Sequence, residues 1–109
     1  MGMVIKKWDV LLVNLDPTIG TEIRKTRPGI IISPNEVNEH WNPIIIIPLT
    51  SKIRSLDFRT SVTFQGKEGQ AAIDQMKAID KKRIVKKMGT LNQKHQSKIQ
   101  DDVMLFFKE

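Results

Sequence analysis

The chain has 109 residues, 18 of them Lys or Arg against 12 Asp or Glu, which gives a formal charge of +6, and it contains no cysteine. A disulfide framework, a thiolate nucleophile and a thiolate metal site are therefore excluded, and a reducing cytoplasmic setting is expected. The surplus of positive charge makes a polyanion, nucleic acid or an acidic peptide, the first partner to consider.

No repeat, low-complexity stretch or linker divides the sequence, so a single domain over residues 1–109 is expected. A domain of this size buries only about two-thirds of its unfolded surface, and pairing with a second copy would relieve that. The first element is a strand from Trp8 to Leu15, followed by Asp16-Pro17 and a polar, glycine-containing loop from Thr18 to Thr26. A second strand runs from Arg27 to Ser33, and further strands are read at Ile44 to Leu49, Thr60 to Phe64, Ala71 to Asp74, Met76 to Ile79 and Val85 to Thr90. The stretches Pro34 to Pro43 and Ser51 to Phe58 read as long loops, which in compact domains tend to bind things. Asn92 is a good N-cap, and Ile99, Val103, Phe106 and Phe107 recur at three- and four-residue spacing, so a closing helix should lay that face on the sheet. Asp101 and Asp102 in its middle and the lack of a basic polar face favour that packing over a membrane-surface helix. No apolar run approaches the roughly 20 residues of a membrane span, and the N-terminus has no apolar signal core. The fold class is mainly β with a C-terminal helix, as a barrel or a sandwich.

Imidazole comes only from His40 and His95, far apart and in no metal-type spacing, so neither a metal nor another cofactor is expected. Arg27 stands at the root of the second strand, where a rigid element can aim a guanidinium fork at phosphate oxygens. Thr50 and Ser51 end the isoleucine-rich third strand; their hydroxyls can donate to phosphate or simply cap the strand end. Two carboxylates, Glu22 and Asp74, are available for acid–base work. Arg24, Lys25, Lys52, Arg54 and Arg59 lie in or beside loops and together can track a nucleic-acid backbone. The run Lys81, Lys82, Arg83, Lys86, Lys87 is as dense and is assigned to general electrostatics. Trp41 and Phe58 can stack on splayed bases, but at 6% aromatic content buried loop packing is the favoured role.

Three segments stand in order: the loop with Glu22, Arg24 and Lys25 that ends at Arg27-Pro28, then Pro48-Leu49-Thr50-Ser51, then Ile73-Asp74-Gln75-Met76-Lys77-Ala78-Ile79-Asp80. With this set the chain resembles the MazF/PemK/Kid family of toxin endoribonucleases. The resemblance implies a small SH3-like β-barrel of the CcdB/PemK kind, a homodimer, and an acidic MazE-like antitoxin as inhibitor. It also implies sequence-selective, metal-independent cleavage of single-stranded RNA to a 2′,3′-cyclic phosphate and a 5′-hydroxyl. Arg27 matches the family's key arginine and Thr50 the threonine beside it, with Ser51 assisting. Glu22 matches a loop glutamate that some members place near the scissile phosphate, and Asp74 an aspartate proposed as general base in others. In the Kid-like pattern an arginine stands two residues before the aspartate and a histidine lies in the first loop; here those positions read Ala72 and, approximately, Thr21. The resulting expectation gives Glu22 the role of base or positioning group and lets Asp74, with Gln75 beside it, hold Arg27 or the RNA. Two rival readings are a CcdB-like poison that binds DNA gyrase without catalysis and a non-catalytic RNA-binding SH3-like module.

Overall fold

The computed structural model describes residues 3–17, 20, 22, 23 and 25–108. Seven strands make one antiparallel sheet: β1 (Asp9–Asn14), β2 (Thr26–Ile31), β3 (Pro43–Thr50), β4 (Arg59–Phe64), β5 (Lys67–Ala72), β6 (Lys77–Asp80) and β7 (Ile84–Thr90). A short helix α1 (Asn35–His40) joins β2 to β3, and α2 (Gln93–Phe107) follows β7. Single 3-10 turns at Ile73–Gln75 and Lys81–Arg83 flank β6. The strand order is β4-β5-β3-β2-β1-β7, and β6 pairs with β3.

Strand β3 explains the isoleucine run. It pairs with β2 along Ile46–Pro48, with β6 along Pro43–Ile46 and with β5 at Leu49 and Thr50, so it is flanked on both edges. Because side chains alternate across a strand, Ile44 and Ile46 enter one core with Leu11, Val13, Leu15, Ile31 and Ile79. Ile47 and Leu49 enter the other, with Val10, Ile30, Val62, Ala71, Ile73, Leu91 and Ile99. A strand apolar on both faces is what a sheet buried on both faces requires. Each isoleucine so buried contributes about 1.5–3 kcal/mol.

The sheet curves without closing, so the expected barrel is an open one. Its two ends come together where Gln65, in the turn after β4, donates from Nε2 to the Met88 backbone carbonyl of β7 at 2.8 Å. The hairpin from β4 to β5 turns on Gln65 and Gly66, both at positive φ (51° and 77°), the conformation of a tight two-residue connection.

Four expectations are corrected. The stretch from Pro34 to Pro43 contains α1, too short to show periodicity; buried Asn38 fastens it, donating to the Ser33 carbonyl (2.9 Å) and accepting from Ser33 Oγ (2.6 Å). The strand read at Ala71 to Asp74 is the end of β5, which begins in the polar run Lys67-Glu68-Gly69-Gln70, and the chain leaves the sheet in a 3-10 turn at Ile73. Trp41 is 58% exposed rather than buried. The α2 cap is as expected, with Asn92 Oδ1 accepting from the His95 amide at 2.9 Å, but only the first part of the apolar face reaches the sheet. Ile99 is fully buried and Val103 packs on it, whereas Phe107 is 66% exposed and Phe106 touches Phe58 edge-on at the domain's rim.

Candidate active site

The β1–β2 hairpin delivers the first wall of the site. Its loop is drawn together at the neck, where the Leu15 amide donates to the Lys25 carbonyl (2.9 Å) and the Lys25 amide to Asp16 Oδ1 (3.0 Å). Lys25 itself sits at φ 68°, a left-handed conformation that turns the chain into β2. From the 3-10 turn before β7, Arg83 Nη1 donates to the carbonyls of Asp16 (2.6 Å) and Asn14 (3.1 Å) and so clamps the same neck. Arg27 follows on β2, opposite Val13, half-buried and fixed by the ladder.

Thr50 ends β3 opposite Gln70 of β5, and is 7% exposed. Its Oγ1 accepts from the Lys52 amide at 3.2 Å, which is the strand-end capping contact, and leaves the hydroxyl proton free to be given elsewhere. Gly69 keeps this corner tight: a Cβ on it would stand 2.6 Å from the Thr50 carbonyl oxygen. Buried Gln70 holds the next loop, accepting from the Arg54 amide (3.1 Å) and donating to the Arg54 carbonyl (3.0 Å).

Glu22, Lys25, Arg27, Thr50, Lys52, Arg54, Asp74 and Gln75 all line one open cleft of about 510 Å³. Ser51 lies outside it, on an adjoining hollow that also touches Arg27 and Thr50. Arg24 lies outside the described residues, as does Thr21. Glu22 and Lys77 of β6 approach to 3.7 Å, both part-exposed.

Asp74 differs from the expectation. Its carboxylate is gripped by Arg59, through Nε at 2.6 Å and Nη2 at 3.0 Å, a two-pronged ion pair. The Arg59 side chain is only 7% exposed, so it is part of the cleft wall rather than a solvated loop charge. This bond is the main reason that the Asp74 carboxyl lies below, and the Arg59 guanidinium above, its ordinary pKa. A carboxylate stabilised in its charged form is a weaker base. Register gives the pair a further meaning. Arg59 is the Cα partner of Ala72, the position where the Kid-like pattern has its arginine, so here the cation reaches the aspartate from the neighbouring strand. Arg83, Gln70 and Gly69 are the residues that sequence reasoning missed as site-builders, and Arg59, named there as a backbone-tracking cation, is instead the partner of Asp74. Only knowledge of strand pairing would have joined Arg59 to Asp74.

Chemically, the cleft offers fixed cations and a hydroxyl donor for an anion, and carboxylates for proton transfer. Among the described residues no three His, Asp or Glu side chains are grouped to hold a metal ion. Also among them, no helix is long and apolar enough to cross a membrane.

Residues 6–107 match the model of the family described as PemK-like, MazF-like toxins of type II toxin–antitoxin systems. The chain belongs to that family. It is 31% identical over 71 residues to the endoribonuclease toxin MazF of Escherichia coli K12, covering 65% of this chain and 64% of that protein. It is 24% identical over 110 residues to the endoribonuclease EndoA of Bacillus subtilis, covering 94% of each. Among solved structures, MazF of Deinococcus radiodurans superposes with a TM-score of 0.85 at 18% identity, over 96% of this chain and 97% of that one. A MazE-MazF structure from the same organism matches with a TM-score of 0.78 at 18% identity, over 98% and 100%. The architecture is thus that of the MazF toxins.

Proposed function

We propose that the protein is an endoribonuclease toxin that cuts single-stranded RNA at selected sequences, leaving a 2′,3′-cyclic phosphate and a 5′-hydroxyl. The observation that carries this reading is the convergence of Arg27, Thr50 and Glu22 on one cleft, in a chain of the PemK/MazF family. The 2′-hydroxyl beside the scissile phosphate is the nucleophile, so the scheme needs no metal. Glu22 takes the 2′-hydroxyl proton, Arg27 and the Thr50 hydroxyl stabilise the charge of the pentacoordinate phosphorane, and the 5′-oxygen leaves protonated. Arg27 or a water it orders delivers that last proton. Lys25, Lys52 and Arg54, with Arg24, follow the RNA backbone, and Asp74 with Gln75 and Ser51 shape the approach to it. A gyrase poison of the same fold would have no need for the Arg27/Thr50 pairing.

The working unit is a homodimer, inhibited by an acidic MazE-like antitoxin. Support for the dimer comes from the far end of α2, where Met104, Leu105 and Phe107 are exposed. Leu105 shares a hollow with Leu56, a residue that also lines the cleft, so this apolar face adjoins the site. Support for the antitoxin comes from the cleft's cations, which bind carboxylates as readily as phosphates, and from the MazE-MazF structure of a protein with this fold. Ends mapped on a defined long RNA in excess EDTA test the chemistry. Cleavage should persist, and a 2′-deoxy substitution at the cut site should abolish it; cutting of DNA at the same place would refute the scheme.

A further inference from the structure

Arg27 and Thr50 stand on the divide between two hollows of opposite character. On one side is the cleft, walled by Glu22, Lys25, Arg59 and Asp74. On the other is a hollow of about 280 Å³ that shares Arg27 and Thr50 with it. Its lining is more apolar than that of the cleft, with Leu49, Val62, Phe64 and Met88 among its residues. These side chains pack on the buried core, so the surface they offer is fixed. Three polar residues of the β4–β5 hairpin complete it, Gln65, Lys67 and Glu68. The Gln65 amide is anchored by its donation to the Met88 carbonyl, which leaves its oxygen and second N–H for a ligand.

An extended RNA strand with a phosphate at Arg27 and Thr50 must send its two adjoining nucleosides in opposite directions. The charged side suits a sugar–phosphate backbone; the apolar side suits the face of a base, which gains most from an aromatic or apolar support. Resting on the endoribonuclease reading above, we propose that this second hollow is a nucleobase subsite. It takes one of the two bases flanking the scissile phosphate and thereby helps decide where RNA is cut. Gln65 reads the base edge as donor and acceptor. Glu68, an acceptor only, favours a base that carries an exocyclic amine over uracil.

The test uses short RNAs built on a cleavage site mapped with the wild-type protein, each with an abasic ribonucleotide on one side of the cut bond or the other. One of the two abasic RNAs should be cut about tenfold more slowly than the intact RNA, the scale expected for one lost stacking contact. Phe64→Ala should slow the intact RNA by a similar factor and show little further loss on that abasic RNA. Glu68→Gln, an exposed change that leaves the core alone, should narrow the preference for an amine-bearing base over uracil at the same position. The subsite is overturned if the wild-type protein cuts both abasic RNAs at the intact rate, or if Phe64→Ala and Glu68→Gln both keep the full wild-type base dependence. It is equally overturned if Phe64→Ala weakens antitoxin binding while its abasic profile is unchanged, which would give the hollow to the protein partner. A wild-type protein that cuts no RNA at all would bring down the endoribonuclease reading and the subsite with it, an outcome distinct from the others.

Discussion

The cleft has two kinds of wall. Arg27, Thr50 and Arg59 sit on strands, where ladder hydrogen bonds fix each backbone against its neighbours. Glu22, Lys25, Lys52 and Arg54 sit on connections outside the ladder. Of these, the Lys25 and Arg54 backbones are held by side chains sent from elsewhere, Asp16 and Gln70. Arg83 adds its clamp on the neck at Asn14 and Asp16. The contrast teaches a division of labour. In the proposed scheme the phosphate-binding Arg27 and Thr50 are on the rigid wall, whereas the base Glu22 and the backbone-following Lys25, Lys52 and Arg54 are on the adaptable one.

The sharpest way to break this contrast is to remove the strand-borne cation. Arg27→Ala should leave the fold intact and lower RNA cleavage by about 10²- to 10³-fold, the usual effect of deleting one donor aimed at a transition state. Binding of an uncleavable 2′-deoxy RNA should fall far less, and a variant that cleaves at the wild-type rate would refute the role given to Arg27. Next in size, Gly69→Ala attacks the rigid wall through its backbone. Its Cβ would crowd the Thr50 carbonyl at 2.6 Å, so the strands must part, at about 1–3 kcal/mol of stability and with loss of activity. Denaturant unfolding reads the first and cleavage the second; an unchanged midpoint would mean that the corner is looser than drawn.

On the adaptable wall, Arg83→Ala should cost about tenfold in kcat/KM and little in stability, because it releases the loop neck without opening a core. Lysine at 83 should restore only part of the loss, since one ammonium lacks the guanidinium's fork of donors. The smallest effect is expected in acid. The Asp74 pKa is held down in the fold by Arg59, so its ionised form stabilises the fold above the ordinary carboxylate value of about 3.9. That contribution disappears as pH falls through the lower, folded value. Wild-type and Asp74→Asn melting temperatures should therefore differ near neutrality and converge as the pH is taken below about 4; a gap that stays constant with pH would rule out this linkage.

Much of this was legible in the sequence, for reasons that differ by element. β1 and β3 could be read because apolar residues at alternate or successive positions report burial directly. The α2 cap was visible in Asn92 because capping is a local matter. Helix α1 was hidden, since six residues give no period and its stability comes from Ser33 and Asn38. The Arg59–Asp74 pair was hidden for a deeper reason. It joins residues 15 apart through a strand register that depends on the β4–β5 turn, and no local pattern encodes it. The site residues named from the sequence were those whose residue type and order carry chemistry. Those that hold them in place were invisible because their contribution exists only in three dimensions.

The pairing of β1 with β7, from Asp9 opposite Thr90 to Val13 opposite Ile84, has a consequence for synthesis. β1 is made before β7, so that edge of the sheet is incomplete until β7 has been made, and the Arg83 clamp on the β1–β2 loop arrives at the same stage. A chain stopped by stalled translation before residue 83 therefore has Arg27 and Thr50 but neither the clamp nor the ladder that closes on β1.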